Sequence, residues 1–195
     1  MTIGVTGLVL AGGRGRRMGS VDKGLVELRD APMVRHVLDR LAPQVDDILI
    51  NANQNLERYR AFGYPVIEDA VGGFAGPLAG LHAGLGVTAA PRVATVPCDS
   101  PFLPEDLVHR LSIALDAVQA DLAVARTFDQ PHPVFCLVER SVHAHLDAFL
   151  RGGGRKIDAW YATLRVIEVP FDDVADAFRN INTRDELDEA NRHRG

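Results

Sequence analysis

The segment Leu8-Val9-Leu10-Ala11-Gly12-Gly13-Arg14-Gly15-Arg16-Arg17-Met18-Gly19-Ser20-Val21-Asp22-Lys23-Gly24 runs from an apolar stretch into a glycine loop and then into a cluster of cations. The apolar part has the length and composition of a buried parallel strand. Gly12 and Gly13 permit positive φ and close approach of the backbone to a ligand, leaving N–H groups for phosphate oxygens. Arg14, Arg16, Arg17 and Lys23 bring enough positive charge to hold a polyphosphate. A nucleoside triphosphate fits this combination.

Two other phosphate loops are excluded. A P-loop requires Gly-x-x-x-x-Gly-Lys-Ser/Thr, and no glycine here is followed by Lys and then Ser or Thr. A dinucleotide fingerprint requires Gly-x-Gly-x-x-Gly, and Gly13-x-Gly15 meets Met18 where the third glycine belongs. Asn51 closes the second strand in place of the acidic residue that would bind a ribose there.

Composition describes an enzyme-sized globular chain. Hydrophobic residues make 47% and charged residues 24% of the 195, and a single domain over residues 1–195 is expected. A formal net charge of −5 makes the basic loop a local feature and argues against nucleic acid as a partner. No apolar run reaches membrane-spanning length, and the amino terminus leads straight into a strand, so no leader and no membrane partner are expected. Cys98 and Cys136 lie in apolar surroundings and read as core thiols of a reducing cytoplasm.

Strands and helices alternate along the chain. Strands are expected over 7–11, 47–51, 65–69, 92–98, 122–125, 134–138 and 165–169. Pro32 is expected to open a helix whose inner face is Val34, Val37, Leu38 and Leu41. A short helix is expected over 56–62, and a helix with an acidic first turn over 105–118. Gly76, Gly80 and Gly84 recur every four residues and give a smooth stripe on which a helix can lie close to the sheet or a ligand. Gly152-Gly153-Gly154 ends a helix, and Thr183-x-x-Glu186 is a capping box. Such alternation predicts an α/β fold, a three-layer sandwich with helices on both faces of a mostly parallel sheet.

Ligands of open α/β sheets lie beyond the carboxyl ends of the strands. Gly12 and Gly13 follow the first strand, Asn51 the second, Asp69 the third and Asp99 the fourth. Asp99, stiffened between Pro97 and Pro101, is the candidate magnesium ligand, because magnesium takes carboxylates together with phosphates and waters. Asn180 and Asn182 stand just before the expected terminal helix. Lys23 and Arg17 are candidate catalytic cations, and His132, between Pro131 and Pro133, is placed in a loop. No Ser-His-Asp or Cys-His set suggests a covalent intermediate.

The pattern Leu-x-Gly-Gly-x-x-x-Arg-Met-Gly-x-x-Lys, with one residue inserted before Lys23, resembles the signature of nucleotidyltransferases. Within them the chain most resembles the molybdenum cofactor guanylyltransferases, through Asp22-Lys23-Gly24, Asn51-Ala52-Asn53, Val66-Ile67-Glu68-Asp69, Gly76-Pro77-Leu78-Ala79-Gly80, Pro97-Cys98-Asp99-Ser100-Pro101 and Asn180-Ile181-Asn182-Thr183. The resemblance implies a Rossmann-like, glycosyltransferase-A-like fold. It implies GTP as co-substrate, Mg²⁺ as cofactor and molybdopterin as acceptor, and, by a related position in the superfamily, Asn180 or Asn182 as a second oxygen donor. The acceptor's terminal phosphate would attack the α-phosphorus of GTP, releasing pyrophosphate. It further implies Leu10, Ala11, Gly12, Gly13, Lys23, Asn51, Asp69 and Asp99 as the nucleotide site, with the base or the ribose open as the partner of Asn51 and Asp69. Proteins that deliver the cofactor and mature molybdoenzymes are the implied partners, and a cytoplasmic monomer is expected. Leu10-Ala11-Gly12-Gly13 resembles the guanylyl-type opening, whereas cytidylyl relatives tend to open Ala-Ala-Gly. A transferase using CTP or another phosphorylated acceptor, and a GTP sensor without turnover, are the alternatives.

Overall fold

A computed structural model describes residues 4–11, 22–70 and 76–192. The strands are β1 (Val5–Leu10), β2 (Glu27–Leu28), β3 (Ala31–Pro32), β4 (Asp47–Asn51), β5 (Val66–Ile67), β6 (Arg92–Pro97), β7 (Leu122–Thr127), β8 (Gln130–Glu139) and β9 (Val166–Pro170). The α-helices are α1 (Met33–Leu41), α2 (Leu56–Arg60), α3 (Pro77–Val87), α4 (Leu107–Val118), α5 (His143–Arg151), α6 (Ile157–Tyr161) and α7 (Arg184–Arg192).

Seven strands form one sheet in the order β5-β4-β1-β6-β8-β7-β9. β8 alone runs against its neighbours, so the sheet is mostly parallel, as expected. Side chains alternate across it with the period of two that pleating imposes. Val5 and Val9 of β1, Ile48 and Ile50 of β4, and Ala94 and Val96 of β6 join the inner faces of α1 and α4. Leu8 and Val93 join Leu78, Leu81 and Leu85 of α3, Leu146 of α5 and Trp160 of α6 on the other face. The result is the three-layer α/β sandwich that the alternation predicts.

Gly80 and Gly84 make the close approach read from the stripe's spacing, whereas Gly76, at φ 127 just before α3, has open space where a Cβ would stand. A Cβ on Gly84 would lie 2.6 Å from Leu8 Cδ2, and one on Gly80 would overlap Asn51 Oδ1 and sit 2.7 Å from Leu10 Cδ2. α3 therefore rides directly on β1 and β4.

Three local expectations are corrected. α4 begins at Leu107, so Glu105 and Asp106 precede the helix instead of making its first turn acidic. Its start is set from outside: Val108 N donates to Gln44 Oε1 at 3.0 Å, a cap supplied by a distant segment. Pro32 sits one position outside α1, as its N-cap. His132 lies in β8 and not in a loop. The register of β7 against β8 jumps from Val124–Cys136 to Ala125–His132, so residues 133–135 form a bulge that accommodates Pro133 without breaking the ladder.

Among the described residues, a small hairpin of β2 and β3 stands beside the sheet. Its turn holds Arg29 at φ 49 and Asp30 at φ 67, the paired left-handed geometry of a tight hairpin. Arg29 N donates to Asn191 Oδ1 at 2.9 Å, and Leu28, Met33, Ile181 and Ala190 share a core cluster that seats α7 against the hairpin. α7 opens with the expected capping box: Glu186 N donates to Thr183 Oγ1 at 3.2 Å, and Thr183 N donates to Glu186 Oε2 at 2.9 Å. Asn182 N donates to the same carboxylate at 2.7 Å, which fixes the residue just before the helix.

Candidate active site

The carboxyl ends of β5, β4, β1 and β6 lie side by side, and two polar clusters occupy that edge. The first joins β1, β6 and the approach to α7. Lys23 Nζ lies 3.4 Å from Asp99 Oδ2 and donates to Asn182 Oδ1, linking residues 159 positions apart. Both charged side chains are mostly shielded, at 21% exposure for Lys23 and 13% for Asp99, so their attraction is less screened than that of a surface pair. Ile181 N donates to the Asp99 carbonyl at 3.0 Å and ties the α7 approach to the end of β6.

Of the two asparagines left open by the sequence, Asn182 joins the lysine, whereas Asn180 accepts from Ser100 Oγ. Lys23 is not paired with its neighbour Asp22. The Asp22 carboxylate instead accepts from Tyr59 Oη at 2.6 Å and Asn55 Nδ2 at 2.9 Å. Burial, first, then the neighbouring Cys98 thiol and the Asp22 carboxylate push the Tyr59 phenol well above its ordinary range, so it stays protonated and donates.

The second cluster lies on β4 and β5. Asn51, 3% exposed, donates through Nδ2 to Asp69 Oδ1 at 3.0 Å. Asn53 Nδ2 donates to Asp69 Oδ2 at 2.9 Å, and Asp69 N returns a bond to Asn53 Oδ1 at 2.9 Å. Both oxygens of Asp69 are thus oriented by side chains. Gly80 of α3 closes the cluster from above, because only a residue without Cβ leaves room for Asn51.

Leu10 and Ala11 connect the clusters by backbone: Cys98 N donates to Leu10 O at 3.1 Å and Ala11 N to Asn51 O at 2.8 Å. The Leu10 side chain packs into the cluster under α3. Gly12, Gly13 and Arg17, with Arg14 and Arg16, lie outside the described residues. His132 lies near the start of β8 at the same edge, yet its contacts are structural. It bonds Thr127 Oγ1 at 2.7 Å and stacks on Phe178 at 4.7 Å between centroids. Burial lowers its pKa, which favours the neutral ring. Cys98 and Cys136 are free and buried, and burial raises both thiols, so neither is a poised nucleophile.

Asn53, Asn55 and Tyr59 were not singled out from sequence as site residues. Asn53 was within reach, two positions past Asn51 in Asn51-Ala52-Asn53. Tyr59 carries no local signal: its partner is 37 positions away.

Among the described residues no group of three or more His, Cys, Asp and Glu side chains forms a metal cage. The donor set fits a hard cation of the kind that keeps waters and substrate phosphates as ligands, since Asp99 and Asn182 present oxygens and no thiolate or imidazole joins them. No described helix is long and apolar enough to cross a membrane.

The family model of the MobA-like NTP transferase domain matches residues 7–166. A protein of Cupriavidus metallidurans named molybdenum cofactor guanylyltransferase is 55% identical over 188 residues, covering 94% of this chain and 92% of the relative. One of the same name from Shewanella putrefaciens is 50% identical over 186 residues, covering 95% of each. The crystal structure of molybdopterin-guanine dinucleotide biosynthesis protein A from Archaeoglobus fulgidus superposes with a TM-score of 0.80 at 25% identity, over 96% of this chain and 97% of that one. With strand order, edge clusters and glycine-backed asparagine in the same chain, this protein belongs to the MobA-like NTP transferase family and is a nucleotidyltransferase.

Proposed function

We propose that this chain transfers GMP from GTP to the terminal phosphate of molybdopterin, forming molybdopterin guanine dinucleotide and releasing pyrophosphate. The observation that carries the reading is the Lys23–Asp99–Asn182 cluster at the carboxyl edge of β1 and β6, in a chain half identical to relatives bearing the guanylyltransferase name.

In this reading an oxygen of the acceptor phosphate bonds to the α-phosphorus as the bond to the β-phosphate oxygen breaks, and pyrophosphate takes that electron pair. The attacking phosphate is already an anion near neutral pH, so no strong base is required. The demand is alignment and neutralisation of charge. Lys23, a compact ammonium with three donors, is assigned to the triphosphate, and Arg17 is assigned to the same role from its place in the motif. Asp99 and Asn182 would hold Mg²⁺, which supplies charge neutralisation of the triphosphate when bound. Asn51 and Asp69 are assigned to the nucleoside, where the preoriented carboxylate of Asp69 accepts from ring N–H groups or ribose hydroxyls. Leu10, Ala11, Gly12 and Gly13 are assigned to the phosphates from the loop motif. The work falls to one domain, and free buried thiols suit a reducing cytoplasm.

The test is incubation with GTP, Mg²⁺ and molybdopterin, reading product and pyrophosphate by mass, with CTP in parallel. Guanine dinucleotide formed with GTP far ahead of CTP is the expected result. Equal kcat/KM for the two nucleotides overturns the guanylyl assignment, and no nucleotidyl product with either overturns the reaction.

A further inference from the structure

We propose that Tyr59 and Asn55, acting through Asp22, hold Lys23 in register with Asp99 and Asn182, and that Tyr59 is therefore a positioning residue of the transfer reaction. The inference rests on the transferase reading above and assigns it a part drawn from α2, an element that carries no catalytic group.

Lys23 has a flexible four-carbon stem, so the place of its ammonium depends on how firmly the backbone beneath it is held. That backbone is fixed on both sides. Before it, both oxygens of Asp22 are taken, Oδ1 by Tyr59 Oη at 2.6 Å and Oδ2 by Asn55 Nδ2 at 2.9 Å. After it, Gly24 is buried where a Cβ would stand 2.6 Å from Tyr59 Oη and 3.1 Å from Cys98 Cβ. The turn is closed by Leu25 N to Asp22 O and Val26 N to Lys23 O, each at 3.1 Å. Tyr59 thus touches the residues on either side of Lys23 while being itself completely buried. Asn55 is held at φ 52, a left-handed conformation that Asn tolerates and that starts α2. A neutral, protonated phenol suits the task, since only a donor satisfies the carboxylate.

The chain contains two lysines, Lys23 and the exposed Lys156, which makes the state of Lys23 directly readable. Trace labelling of the folded protein with acetic anhydride, resolved by peptide mass, gives the reactivity of Lys23 with Lys156 as internal standard. Two variants are compared. Tyr59→Phe removes one hydroxyl. Asn55→Gly keeps the left-handed backbone and removes one amide from an exposed position, so it decides the matter if the first variant does not fold. In either, Lys23 labelling should rise severalfold relative to Lys156. Because a misplacement of about 1 Å can cost about a hundredfold in rate, kcat should fall on the order of tenfold. In a Lys23→Ala background the same substitutions should change kcat hardly at all, a non-additivity that general destabilisation does not produce. An unchanged labelling ratio overturns the proposal. So does a changed ratio with unchanged kcat, or an equal loss of kcat without Lys23. If the ratio shifts but the unmodified protein makes no dinucleotide, the Tyr59–Asp22 clamp on Lys23 stands and the transferase reading falls.

Discussion

Replacing Lys23 by alanine removes one cation from an edge where Asp99 and Asn182 both face it, and catalysis should suffer far more than folding. The pair is worth about 1 kcal/mol or less to stability on the scale of partly exposed ion pairs. Loss of one donor to developing charge commonly costs about 2.7–4 kcal/mol, a fall of about 10²–10³ in rate. Steady-state kinetics beside thermal melts separate the two, and near-normal turnover in Lys23→Ala withdraws the triphosphate role. Asp99→Asn keeps the shape of the side chain and removes the charge that a hard cation requires. Its melting temperature should stay close to that of the unmodified protein, while Mg²⁺-dependent turnover disappears. Unaltered magnesium titration of activity would take Asp99 out of the metal site. Asp99 was legible because it follows a strand end between two prolines, and Lys23 because it closes the motif that begins in the glycine loop. The hydrogen bond from Lys23 to Asn182 was not, because it depends on how α7 docks on a hairpin built from Arg29 and Asp30, two non-glycine residues at positive φ that sequence gives no reason to expect.

At the scale of elements, α3 offers the sharpest test. Gly→Ala inside a helix ordinarily stabilises by roughly 1 kcal/mol through propensity. Gly80→Ala should do the reverse, losing about 1–3 kcal/mol, because its methyl collides with Asn51 and Leu10 and overpacked cores respond by shifting backbone. Gly86→Ala, whose Cβ would meet only the His143 ring at 3.4 Å, should be neutral or mildly stabilising. Denaturant midpoints of the two variants decide between a stripe that matters by position and one that matters by composition. The stripe was readable from a spacing of four, as was the inner face of α1, whose predicted Val34, Val37, Leu38 and Leu41 are all buried. Strand β8 was readable only in part. Pro131 and Pro133 argue locally for a loop, whereas Pro131 pairs with Arg126 and the bulge that absorbs Pro133 is decided by pairing with β7. The start of α4 escaped for the same reason, since its cap comes from Gln44.

The whole molecule's response to acid follows from groups spread over both faces of the sheet. His132 is packed among Thr127, Phe135 and Phe178. His143 lies 4.8 Å, centroid to centroid, from His82, with Arg140 and Asp147 nearby. Burial, reinforced for His143 by His82, holds both rings below the ordinary histidine range. Above about pH 6.5 the two are neutral folded or unfolded and contribute nothing to the pH dependence. As pH falls through that value the unfolded chain takes up protons that the folded chain resists. Stability therefore declines, and the loss is complete once pH is below the folded values. The carboxylates act in the same direction at lower pH. Arg165 holds Asp121 below the ordinary carboxylate range, Arg151 does so for Asp147, Arg110 for Asp173, and backbone N–H groups for Glu186. Their stabilisation is present above about pH 4 and is lost as pH drops through the folded values. Unfolding free energy plotted against pH should thus descend in two steps, one beginning near pH 6.5 and one below about pH 4. Urea melts across the range read the profile, and the doubly substituted His132→Asn, His143→Asn protein should lose the upper step and keep the lower one. A profile that is level from about pH 7.5 down to about pH 5 would show that these rings take up protons as readily folded as unfolded.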